Sequence, residues 1–99
     1  MLIIAGHILT DPSSVEDLAR DLRAGVERTL KEDGCLAYAF ALDDAEKGSI
    51  LVYERWRDEA SLAAHLSQPE IGELIGKWAG KFEIAVGKFD ASNERGLTD

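Results

Sequence analysis

Cysteine is almost absent. Cys35 stands alone, so no disulfide forms within the chain and packing must supply its stability. That usage fits a reducing compartment, and a cytoplasmic location is the expectation. Basic residues are also scarce, 11 against 19 acidic ones, which leaves a formal net charge of −8. A surface of that sign repels phosphate backbones and anionic lipid, so neither nucleic acid nor membrane is an expected partner. No apolar run approaches the roughly 20 residues that cross a bilayer. The opening MLIIAGHIL lacks a basic n-region and a cleavage site, and His7 interrupts it, so it reads as a strand and not a signal peptide. Repeats, linkers and low-complexity segments are missing as well. What is present, 99 residues of which 45% are hydrophobic and 30% charged, describes one soluble globular domain.

The hydrophobic pattern divides this domain into alternating elements. Residues 2–9 are a continuous apolar run of strand length. Ser13 and Glu16 fit a capping box, and Val15, Leu18, Leu22, Val26 and Leu30 follow at helical spacing up to Gly34, which predicts one long helix. Residues 35–43 and 49–57 read as two strands joined by a polar turn, a hairpin. Asp58 then suits the N-cap of a helix through His65 or Leu66. Ser67 and Glu70 offer a second capping box, with Ile71, Leu74, Ile75 and Trp78 as the buried stripe behind it. Residues 82–90 make a fourth strand, and 91–99 read as a loose C-terminal tail.

The order is βαββαβ, an α+β fold of the ferredoxin-like plan, with a four-stranded antiparallel sheet and helices on one face. It accounts for residues 1–90 as a single domain. The first two strands are apolar on both faces, yet the plan covers only one of them. A homodimer through the uncovered sheet face is the expected remedy.

Two stretches carry a family resemblance. EDGCLAYAF, residues 32–40, and LVYERWRDEASLAAHL, residues 51–66, resemble signatures of the antibiotic biosynthesis monooxygenase family, a family of dimeric α+β barrels. The second matches its Glu-x-Trp, acidic cap and Leu-x-x-His-Leu pattern. The resemblance implies a pocket between sheet and helices in each subunit, and a cofactor-independent monooxygenase that oxidises a small aromatic, polyketide or quinol substrate with O2. Other members of the family bind and degrade haem. Their asparagine, tryptophan and haem-ligating histidine fall here on His7, His65 and Ile75, so none of the three matches. Two alternatives stay open: a non-catalytic small-molecule-binding or assembly module on the same barrel, and haem binding through His7 or His65.

Oxygenation without a cofactor needs a base that turns the substrate into an electron-rich anion, and histidine suits that task near neutrality. His65 and His7 are the catalytic candidates; each also reads as a histidine held by one structural hydrogen bond. A pair of histidines without an acidic or cysteine cluster gives no metal site. Trp56, Tyr38 and Tyr53 are the candidate substrate-binding walls, with core packing as the plainer role. Arg55 and Arg57 either hold an anionic substrate or pair with Asp58 and Glu59. Cys35 reads as inert. Gly72, Gly76 and Gly80 mark either a mobile flap or a closely packed helix. The small side chains Ala5, Ala37, Ala39, Ala41, Ala85 and Gly87 create a pocket if they face the helices. A shared active site requires both histidines on the same side of the sheet.

Overall fold

A computed structural model describes residues 1–99. Strands β1 (Leu2–Thr10), β2 (Cys35–Asp44), β3 (Ser49–Trp56) and β4 (Phe82–Asp90) form one sheet in the order β2-β3-β1-β4, antiparallel throughout. Helices α1 (Val15–Ala24), α2 (Val26–Leu30), α3 (Glu59–Leu66) and α4 (Pro69–Trp78) connect them. This is the expected ferredoxin-like α+β fold, and no helix is long and apolar enough to cross a membrane.

Strand alternation sorts every side chain to one face. Leu2, Ile8, Ile50, Val52 and Trp56 point to the helices and are buried there with Val15, Leu18, Leu22 and Trp78. Their strand neighbours Ile3, Ala5, His7, Leu51 and Tyr53 share the other face, where Ala37, Ala39, Ala41, Ala85, Gly87 and Phe89 pair beside them. No element covers that face, and Leu51, Tyr53 and Phe89 are exposed on it.

Helix starts differ from the sequence expectation. Neither capping box forms. Asp11 Oδ1 accepts from the Ser13 backbone N–H at 2.9 Å and from its hydroxyl, so a short 3-10 turn precedes α1. Ser67 donates its hydroxyl to the Ala64 carbonyl, and Pro69, which has no N–H to satisfy, opens α4 in its place. The long first helix breaks at Gly25, which separates α1 from α2. Asp58 does cap α3, accepting from the Ser61 N–H at 2.8 Å and from the Ser61 hydroxyl at 2.7 Å.

Gly34 ties α2, β2 and α3 together. Its φ is +84°, and a Cβ there would collide with Ser61 at the start of α3. Only glycine allows the approach. Arg57 clamps the same corner through both oxygens of Asp33, each 3.0 Å away, and through Asp58. The arginine is thereby engaged as a structural tie. Glu59 pairs instead with Lys88 of β4, at 3.1 Å.

Candidate functional site

A cavity of about 290 Å³ lies between the sheet and helices α3 and α4. Its floor comes from Ile4 and Ile8 of β1, Val52 of β3 and Val86 of β4, and its roof from Leu62, Ile71 and Leu74. Gly6 sits between Ile4 and Ile8 and contributes no side chain. Its φ of +150° and the closeness of the Ala85 and Val86 backbone leave room for nothing larger. Leu66, Ile75 and Ile84 line the cavity and yet stay exposed, so they form an apolar mouth. Four polar side chains interrupt the lining: Tyr38, Glu54, His65 and Lys88.

His65 is 2% exposed, turned inward by α3 beside Leu62. Its Nδ1 lies 3.1 and 3.2 Å from the two oxygens of Glu32, a carboxylate delivered by the loop that Gly34 and Arg57 fix. An imidazole that donates through Nδ1 offers Nε2 as its acceptor. The ring packs against Trp56, centroids 4.7 Å apart, and edge-on against Tyr38 at 5.2 Å.

Glu54 is the polar group the sequence reading passed over. It was legible only as a strand partner of Trp56, because the cavity that gives it meaning appears only once α3 and α4 are placed. Trp56 donates its indole N–H to Glu54 Oε1 at 2.9 Å, and no cation pairs with the carboxyl. Burial pushes the Glu54 pKa up; the indole N–H and nearby His65 pull part of the way back. Burial likewise raises the Tyr38 phenol and the Cys35 thiol, each further raised by the charges of Glu54 and Glu32, so neither ionises readily.

The predicted residues divide between two faces. Tyr38 and His65 line the cavity. Trp56, expected as a wall, is fully buried behind it, where it stacks on His65 and bonds Glu54; it positions the site without lining it. His7 and Tyr53 occupy odd strand positions and lie on the uncovered face, so the two histidines share no cavity. His7 faces Asp43 at 3.5 Å. The alanines and Gly87 are on that face too, so the pocket does not arise from them. Its lining comes instead from the helix-facing even positions of the strands and from α3 and α4.

Arg55 pairs with Glu94 of the tail at 2.8 Å. Gly72 and Gly76 lie on the exposed side of α4, where an added Cβ would meet nothing within 4 Å. Close packing is therefore not their role. Gly80, at φ +78°, ends the helix. No three His, Cys, Asp or Glu side chains gather to hold a metal. Ile75, at the position of the haem-ligating histidine, offers no ligand at the cavity mouth, and His7 is on the wrong face to help. A second groove, between α1, α2 and α4, is lined by mixed charged and apolar side chains and contains neither His65 nor Glu54.

Comparison with known proteins agrees with this architecture. The sequence profile described as antibiotic biosynthesis monooxygenase matches residues 1–77. An uncharacterized protein of Synechocystis sp. is 32% identical over 76 residues, 77% of this chain and 52% of its own length. The chain thus spans about half of that relative. A crystal structure from Deinococcus radiodurans, of a protein provisionally named an antibiotic biosynthesis monooxygenase, superposes with a TM-score of 0.85 over 98% of both chains at 22% identity. A Pseudomonas aeruginosa protein superposes with a TM-score of 0.81 over 93% of this chain and 94% of its own, at 25% identity.

Proposed function

From the premise that this chain belongs to the antibiotic biosynthesis monooxygenase family, we propose that it oxygenates a compact hydroxy-aromatic substrate with O2, without a bound cofactor, in the cavity under α3 and α4. The observation that carries this reading is the Glu32–His65 pair, which sets His65 in the wall of a largely apolar chamber. The carboxylate fixes the ring and stabilises the imidazolium that forms when Nε2 takes a proton. Loss of that proton leaves an electron-rich phenolate, the species able to pass an electron to O2. Apolar walls exclude water and so keep the anion reactive.

For a naphthalene-type quinol the overall change is quinol plus O2 to hydroxyquinone plus water. One oxygen atom joins a ring carbon, whose C–H proton leaves, and the other departs as water. His65 can handle both protons in turn, taking one from the ring hydroxyl and returning it to the departing peroxide oxygen. The volume limits the substrate. At about 290 Å³ the chamber sits at the lower edge of the roughly 300–1,000 Å³ typical of ligand pockets, which favours one or two rings over an extended polyketide.

The functional unit in this reading is a homodimer. The uncovered sheet face carries Ile3, Leu51, Tyr53 and Phe89, and a second copy of the same face would remove them from water. Oxygen uptake with a panel of one- and two-ring quinols, read against the uncatalysed rate, tests the activity. Enzyme-dependent uptake that saturates with substrate is expected. Saturable binding with no uptake across the panel would point instead to a non-catalytic binding module.

A further inference from the structure

Two hydrogen-bond acceptors face the cavity together. With Nδ1 turned to the Glu32 carboxylate, a neutral His65 presents Nε2 as an acceptor. Glu54 holds the Trp56 indole N–H on Oε1, has no cation partner, and has no protein donor on Oε2. The other polar lining groups do not offset this. Lys88 is held by Glu59 at 3.1 and 3.2 Å, and Tyr38 supplies a single hydroxyl. Glu32 and Cys35 lie behind the wall and do not line the chamber.

We infer that Glu54 sets the specificity of this cavity: with His65 it selects aromatic ligands that donate hydrogen bonds, such as diols, over acceptor-only diones of the same ring system. The inference rests on the reading of the cavity as a hydroxy-aromatic site and adds to it a preference between redox states. A dihydroxy ring gives each acceptor a donor. A quinone of the same shape sets carbonyl oxygens against a carboxylate and an imidazole lone pair, and leaves them desolvated and unpaired. Protonation of Glu54 reverses its part, because a neutral carboxyl donates to a carbonyl. The raised pKa of Glu54 brings that reversal closer to neutrality.

The test is anaerobic titration of the protein with 1,4-dihydroxynaphthalene and with 1,4-naphthoquinone, followed by calorimetry, so that binding is read without turnover. At about pH 8 the diol should bind roughly 10- to 100-fold tighter than the dione, the range expected for one or two hydrogen bonds to a charged group. The preference should narrow as pH falls towards about 5. Glu54→Gln isolates the carboxyl's share. Its amide both donates and accepts, and the preference at pH 8 should collapse to within a few-fold. Glu54→Asp should keep the pH dependence, and circular dichroism verifies that each variant is folded. Equal binding of the two forms by the wild type at pH 8, or an undiminished preference in folded Glu54→Gln, would overturn the inference while leaving the cavity as a binding site. Binding of neither form would overturn the reading of the cavity and the inference with it.

Discussion

His65 and Glu32 meet across 33 residues of sequence, with Nδ1 3.1 Å from a carboxylate oxygen and the imidazole withdrawn from solvent. A helix and a loop after another helix must both be in place before the pair exists. If this pair is the base, His65→Ala should lower turnover by about 10²–10⁴-fold, the usual worth of a positioned base. Glu32→Ala should cost less, since it removes orientation and leaves the proton acceptor. His7→Ala should leave turnover unchanged, because His7 lies on the opposite face of the sheet. Steady-state oxygen uptake for the three variants decides among these outcomes.

Glu54 links the site to stability. Its folded-state pKa is raised by burial, so the folded protein holds this proton more tightly than the unfolded chain does. Its favourable contribution is complete below the unfolded pKa and is lost as pH rises through the folded one. Glu54→Gln should therefore melt higher than the wild type at pH 7–8, with the difference shrinking towards pH 4, where both forms are neutral. A melting temperature equal to or below that of the wild type at pH 8 would contradict this. Trp56→Phe removes the indole N–H that holds the pKa down, so it should move any acid limb of the rate profile that belongs to Glu54 to higher pH.

Helix α4 should be a weakly held cover. Glycine in a helix interior costs roughly 0.5–1 kcal/mol relative to alanine, and Gly72 and Gly76 recover none of it through packing. Gly72→Ala and Gly76→Ala should each stabilise the protein by about that amount in urea unfolding. Amide exchange across residues 69–78 should slow in the double variant. Exchange in the wild type already as slow as in the central strands would rule out a mobile cover.

The uncovered sheet face predicts an assembly. Leu51→Lys places a charge at the centre of the proposed interface, opposite His7 in β1 and Ala41 in β2. Sedimentation should show a dimer for the wild type and a monomer for the variant, with the circular dichroism spectrum preserved. A wild-type monomer at micromolar concentration would remove the dimer from the account.

Much of the fold was legible because hydrophobic period is a local property. The four strands, the Asp58 cap and the uncovered apolar face all follow from stretches of ten residues or fewer. The missed capping boxes show the limit of such reading. Ser13 and Ser67 each had a suitable partner three residues on, but Asp11 and Pro69 offered the chain a better start. The site was less legible, because alternation assigns faces only after the register is known. One residue's slip would exchange His7 with its neighbours. That is why His7 and Tyr53 read as site residues and fell on the far face, and why Glu54 passed as a structural strand carboxylate. Glu32 carried no local signal at all. Its role depends on Gly34 bringing the loop against α3.

The central claim is that the cavity under α3 and α4 oxygenates its ligand through His65. It is tested most directly by incubating the metal-stripped, flavin-free protein with 1,4-dihydroxynaphthalene under ¹⁸O₂ and weighing the product by mass spectrometry. The account predicts one ¹⁸O atom incorporated into hydroxyquinone above the uncatalysed background, in the wild type and in His7→Ala, and background incorporation in His65→Ala. Labelling by His65→Ala equal to that of the wild type would contradict it, as would no protein-dependent labelling of a quinol that binds saturably.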